Sequence, residues 1–259
     1  MIFKKQNYNI RVLQYFFFFV SIYGLAFFSW QWIALGGIAY VFLETFGGNI
    51  GLHRYFGHKS FNASKSIDKF LRFFSHYIGV GSVLSWVGQH RKHHEFSDTP
   101  NDVHSTEHQG LFTILFGVWD ITIERKYLKD VIKDKRLVWW NKNYWNFHMI
   151  LIVLYTLIDL LFGTHLLFAL YALPNLMCLI SGYVLAITTH SHGYITYDVP
   201  DKSTNSWIAN IYTLGEGWHN NHHANPRKIR TGEKWWEWDL PAFIIERFLD
   251  VDRIKKQPH

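Results

Sequence analysis

The sequence predicts an all-α integral membrane fold: four transmembrane helices with a cytosolic helical cap that carries a histidine-rich site. Three observations predict it. Two apolar blocks, residues 11–52 and 147–187, are each long enough for two spans. All 26 Lys and Arg residues fall on one side of the spans so defined. The 16 histidines gather in clusters near the ends of the apolar blocks.

The first block is about 42 residues long, and one span needs roughly 20. It therefore reads as helices at 11–31 and 33–52, joined by a tight turn near residues 29–32 or at Gly36 and Gly37. Lys4 and Lys5 ahead of an apolar run also resemble the start of a secretory signal. The bulky Phe run at 16–19, with no small-x-small cleavage site after it, speaks against that. Residues 57–146 are too polar to span, and 67–83 and 109–119 read as amphipathic or interfacial. The second block gives helices at 147–164 and 167–187, with a break near 163–165. The remainder is polar and rich in Trp. The chain thus reads as one domain, 1–259, whose cap combines 53–146 and 188–259. No linker, repeat or low-complexity segment interrupts it.

Charge supports this topology. Three basic residues, Lys4, Lys5 and Arg11, stand at or before the start of the first span, seven lie between His53 and Lys92, seven between Arg125 and Lys142, and nine from Lys202 onward. None falls in the two short turns assigned to the opposite side. The positive-inside rule then places both termini and the middle loop in the cytoplasm. Aromatic residues make up 19%, including 22 Phe and 12 Trp, which suits interfacial rings. A mean hydropathy of −0.04 implies that only part of the chain lies in lipid. The net charge of +6 needs a partner, and with no nucleic-acid module in view the expected one is membrane lipid. Cys178 is the single cysteine, so intrachain disulfides and cysteine-based metal sites are excluded.

Three histidine clusters carry the chemistry: His53 with His58, then His90, His93 and His94, then His219, His222 and His223. In HxxHH, residues i, i+3 and i+4 share a helix face, so each trio is expected to aim at one point. His53 and His58 are five apart, about 140° around a regular helix, so the helix is expected to end or unwind at Gly57. Eight imidazoles exceed what one tetrahedral zinc can use and suit two ions with open positions. Imidazole binds iron, copper, zinc and nickel alike, so these ligands alone do not choose the metal. A zinc hydrolase is a rival, but no cluster contains the carboxylate of an HExxH site.

At these residues the sequence resembles the membrane fatty acyl desaturases, specifically the stearoyl-CoA (delta-9) type and its bacterial relatives. The resemblance rests on GLHRYFGHKSF at 51–61, HRKHHEFSD at 90–98 followed by Asn101 to His104, and GEGWHNNHH at 215–223. It covers residues 48–239. It implies four spans, a cytosolic cap and a di-iron centre held by nine histidines. Eight are the clustered ones, and the family pattern around Gly193 and Asp201 selects His190 as the ninth, with His192 one register out. It also implies O2 as co-substrate, a fatty acyl substrate carried on CoA, acyl carrier protein or lipid, and a cis double bond, expected at delta-9. Electrons would come from a separate donor, cytochrome b5 or ferredoxin, since no haem segment or Cys cluster is present. A di-iron lipid hydroxylase on the same scaffold is the alternative. A metal-binding membrane protein without enzymatic activity would place its polar ligands inside the spans.

Two positions depart from the family. Ala186 stands where an Asn usually reaches one iron through water. Gly88 and Gln89 stand where acyl-CoA enzymes carry an Arg-Asp pair. Asp98, Asp102, Glu216, Asn220 and Asn221 are candidates to orient the imidazoles. Trp218 is a candidate for the acyl tunnel, while Trp235, Trp236 and Trp238 suit the membrane interface better. Arg227, Lys228 and Arg230 could hold an anionic headgroup or carrier. Counting back from His53 by fours gives Asn49, Thr45 and Val41 as tunnel lining, with Val41 about 18 Å away near the closed end.

Overall fold

The computed structural model describes residues 7–110, 114–115, 123–249 and 251–253. Helix α1 (Asn7–Phe27) is followed after a turn at Phe28 and Ser29 by α2 (Trp30–Leu43). The turn falls at the first of the two expected places, and Gly36 and Gly37 lie inside α2. Beyond Leu43 the helix does not stop. It widens into a π-helix, Glu44–Gly57, whose hydrogen bonds reach five residues along instead of four. This wide coil runs beside helix α3 (Lys65–Tyr77) at a separation only glycine permits. A Cβ on Gly51 would lie 2.2 Å from the Ser75 hydroxyl oxygen, and one on Gly47 would lie 2.7 Å from the Phe74 carbonyl oxygen.

The second apolar block forms Tyr144–Phe162, then a π-wound turn at Leu167–Ala172 that continues as Leu173–Thr188. Gly163 breaks it in the left-handed region (φ 63°). The Asp159 carboxylate closes the break by accepting from the Leu166 and Leu167 N–H groups (2.7 and 3.0 Å) and the Thr164 hydroxyl (2.6 Å). Four helices, Ile10–Phe27, Trp30–Gly57, Tyr144–Phe162 and Leu167–Thr188, are long and apolar enough to cross a membrane. Their outer faces carry bare apolar side chains, Phe19 at 67% and Leu160 at 77% exposure, as lipid-facing helices do.

The cap is built of shorter helices. Ser64 starts α3 by accepting from the Ile67 N–H, and Ser82 starts α4 (Val83–Phe96) by accepting from the Ser85 N–H. Trp207–Thr213, His219–Ala224 and Leu240–Phe248 complete the described cap on the C-terminal side. Strand β1 (Phe61–Ala63) pairs antiparallel with β2 (Val251–Arg253). The expected amphipathic segment at 109–119 lies mostly outside the described residues. The main core joins cap and spans, with Leu52, Val87, Leu128 and Tyr171 in one buried cluster.

Candidate metal centre

The wide coil solves the spacing of the first histidine pair. In a π-helix a residue five along returns to the same side, and the His58 N–H bonds the His53 carbonyl at 3.0 Å. HRYFGH is therefore one turn of π-helix, and the rings of His53 and His58 lie 4.9 Å apart. The helix ends at Gly57, as expected, but it widens before it ends. Helix α4 brings His90, His93 and His94, the short helix His219–Ala224 brings the third box, and His190 follows two residues after Thr188.

Each HxxHH box serves two points, not one. His53, His58, His90, His94 and His222 form one nest, and His93, His190, His219 and His223 form another. The reason is rotation. Residues four apart differ by about 40° around a helix, whereas neighbours such as His93 and His94 diverge by about 100°. So the i and i+4 rings of a box stay together and the i+3 ring turns to the other nest.

Within the first nest the Nε2 atoms of His53 and His222 are 3.0 Å apart, those of His58 and His90 2.6 Å, His90 and His94 3.2 Å, and His94 and His222 3.0 Å. In the second, the Nε2 atoms of His219 and His223 are 3.0 Å apart. Five neutral rings meeting at Nε2 cannot all satisfy one another, because each has a single N–H. Buried Nε2 atoms of His93 and His190 have no hydrogen-bond partner among the described residues. Nitrogens bound to one ion at about 2.1 Å and at right angles would lie about 3 Å apart, as these do.

The opposite ring nitrogens are held from outside. Nδ1 of His53 meets Glu216 at 2.7 Å, that of His93 meets Asp102 at 3.0 Å, that of His190 meets Asp98 at 2.8 Å, and that of His223 meets Asp201 at 2.7 Å. A carboxylate on Nδ1 keeps the proton there and leaves the Nε2 lone pair facing inward, the arrangement that metal-binding histidines use. Burial, reinforced by repulsion from neighbouring imidazoles, lowers the pKa values of His58, His90, His93, His219, His222 and His223 well below the ordinary value, and that of His94 to about 3. These rings are neutral at pH 7, as metal ligands must be. Burial alone would raise the Glu216 carboxyl, but the Arg54 guanidinium and the His53 ring hold it low. Asp98 is likewise held low against its burial, chiefly by the hydrogen bond to His190. Arg54 bridges Glu216 (3.1 Å) to Asp239 (2.9 Å), which caps Leu240–Phe248 and so ties the nest to the end of the cap.

Of the residues expected to orient the imidazoles, Asp98, Asp102 and Glu216 do so. Asn220 and Asn221 do not: Asn220 holds the backbone of Thr196 and Tyr197, and Asn221 holds that of Thr231 and the Glu237 carboxylate. Asp201 was missed as a partner, because nothing in the spacing links it to His223, 22 residues on. His104, read only as part of a flank, stacks on His93 with ring centroids 4.1 Å apart. His192 is exposed and meets Ser191, whereas His190 lies in the second nest.

A cavity of about 210 Å³ runs from the nests into the spans. Asn49 lines it, but Thr45 and Val41 do not; Val41 is 42% exposed on the outer face. The count by fours fails because the coil is π-wound. A step of five from His53 gives Gly48, and Glu44 follows, both on the cavity wall. Trp218 is not lining either: it is buried and donates its indole N–H to the Trp238 carbonyl at 2.8 Å. Trp235, Trp236 and Trp238 are exposed, as the interface reading expects. Arg227 and Lys228 are exposed and away from the cavity, with Lys228 paired to Glu233 at 2.7 Å. Ala186 and Gln89 both face the cavity.

Residues 8–237 match the family model for fatty acid desaturases. The chain belongs to the fatty acid desaturase family. It is 33% identical over 256 residues to the sn-1 stearoyl-lipid 9-desaturase of Synechocystis sp., covering 91% of this chain and 76% of that protein. It is 33% identical over 228 residues to the hex-5-enoyl-[acyl-carrier protein] acetylenase of Moorena producens, covering 78% and 70%. It is 31% identical over 248 residues to the delta-9 acyl-lipid desaturase 1 of Arabidopsis thaliana, covering 88% and 75%. In this desaturase-family chain the two nests are groups that could hold metal ions, and the chain is an oxidoreductase acting on fatty acids by family.

Proposed function

We propose that the protein is an oxygen-dependent di-iron acyl desaturase that introduces a cis double bond at delta-9 of a saturated acyl chain. The observation that carries this reading is the pair of carboxylate-backed Nε2 nests at the mouth of an apolar cavity. His53, His58, His90, His94 and His222 would hold one iron, and His93, His190, His219 and His223 the other. With dioxygen and two electrons from a separate donor, cytochrome b5 or ferredoxin, the irons would supply the C–H oxidation that no side-chain acid or base can perform.

The chain's own residues do the rest. Glu216, Asp102, Asp98 and Asp201 keep four rings turned inward with protons on Nδ1. Leu52, Ile78, Val80 and Leu185 give the cavity a dry wall that aligns a hydrocarbon chain and excludes water. A lipid-linked acyl group fits best, since two relatives named above act on such substrates and Gly88 and Gln89 offer no charge pair for CoA. Charge segregation supports placing both termini and the site on the cytoplasmic side.

The deciding experiment is expression in a desaturase-deficient host, with product mass and double-bond position read from its lipids. Products that have lost two hydrogens at C9 and C10 are expected. Gain of one oxygen instead would make the protein a hydroxylase. Full activity in His93→Ala or His222→Ala would overturn the ligand assignment.

A further inference from the structure

The cavity is apolar over most of its wall, but its deep end is not. Glu44 lies nine residues before His53, within the second span, and is 6% exposed. Its carboxyl lines the cavity and accepts a hydrogen bond from the Ser181 hydroxyl at 2.6 Å. The buried Cys178 lies on the same cavity wall. Among the described residues no Lys, Arg or His forms an ion pair with Glu44. An ionisable group inside a membrane span without a counter-ion is costly, and a Gln or Ser would brace two helices more cheaply.

We propose that Glu44, braced by Ser181, is a specificity-determining residue at the far end of the acyl tunnel. Methyl-terminated chains stop short of it, and only a tail that carries a hydrogen-bonding group is matched at that depth. This rests on the desaturase reading above. A methyl end pressed onto the carboxyl would displace any water there and leave its remaining hydrogen-bonding capacity unmet. A hydroxyl would meet it. Sites built around a polar group discriminate strongly against the analogue that lacks the partner, whereas apolar pockets reject an added hydroxyl only weakly. From Glu44 to His53 the helix advances at most about 13 Å, room for roughly ten methylenes beyond the reacting carbons.

The test feeds a desaturase-deficient host expressing the full chain with C16 to C22 saturated acids and with ω-hydroxy acids of the longer lengths. The wild type is expected to desaturate C16 and C18, to leave C20 and C22 methyl chains at least tenfold behind, and to accept their ω-hydroxy counterparts. Glu44→Leu, which fills the same space without polarity, should bring plain C20 up at least fivefold relative to C18 and lose the hydroxylated products. Glu44→Gln should keep the wild-type pattern. Ratios of products are read, so lower expression does not enter, and Ser181→Ala gives a milder perturbation should Glu44→Leu fail to accumulate. An unchanged length ratio in Glu44→Leu and Ser181→Ala, or equal handling of hydroxyl and methyl tails by the wild type, overturns the proposal. No desaturation by the wild type would instead sink the desaturase reading itself.

Discussion

Asp201 offers the sharpest test of the proposed metal centre. Its carboxylate accepts from Nδ1 of His223 at 2.7 Å, and both side chains are nearly buried. Asp201 also accepts from the Ser203 N–H at 2.9 Å, which orders its own loop. Asp201→Asn leaves an oxygen that can still accept from Nδ1 but removes the charge that makes His223 a stronger ligand. Asp201→Ala removes both. Outer partners of metal-bound histidines are typically worth 10- to 100-fold in affinity or activity, about 1.4 to 2.7 kcal/mol. Asn should fall at the low end and Ala at the high end. The lost Ser203 contact costs only about 1 kcal/mol of stability, so both variants should remain folded. The assay is iron per chain after equilibration against graded chelator, alongside desaturation rate. Both variants within twofold of the wild type in iron retention would refute the view that the carboxylate tunes a metal ligand.

Three further outcomes are expected. His190→Ala should abolish activity and release metal while His192→Ala leaves both within twofold, and the reverse would move the ninth ligand one register along. Because burial and mutual repulsion hold His58, His90, His93, His94, His219, His222 and His223 below the ordinary 6.5, protons compete for their Nε2 atoms only once pH falls well below that value. Metal content should therefore be flat from pH 7.5 to 6.5 and fall only in more acid solution; half-release at pH 6.5 or above would contradict the burial argument. Val41→Phe should leave the ratio of C14 to C18 products unchanged, since Val41 faces outward, and a shift to shorter chains would restore it to the tunnel floor.

Much of the architecture was legible because it follows from long runs. Two apolar blocks and a one-sided distribution of cations are sums over many residues, and no local detail can reverse them. The break at Gly163 was legible too, since a glycine beside Asp159 and Thr164 is a helix stop with its own cap. The winding of 44–57 was not. Its residues are glycine-rich with apolar side chains between polar ones, which is compatible with the end of an ordinary span, and only packing of Gly47 and Gly51 against α3 distinguishes the wider coil. That one unread feature displaced Val41 and Thr45 from the cavity. The histidines were legible as a group because three clusters with fixed spacing recur, but their division between nests was not. It depends on the 100° between His93 and His94 and on how α4 meets the helix at 219–224. Asp201 and Trp218 show the same limit: their partners lie across the fold, and no interval in the chain announces them.

The π-wound stretch also has an evolutionary consequence. A substitution in this stretch need not change where its ends point, although eleven of its fourteen residues are buried. The stretch cannot absorb a change in length. Deleting one residue between Glu44 and His53 would turn everything beyond the cut by roughly a quarter of a revolution. His53, Arg54 and His58 would then swing together away from His222, Glu216 and His90. The segment is thus a fixed-length gauge between the membrane and the cap. Among descendants of this chain, insertions and deletions should be confined to the turn before α2 and the loop after Gly57.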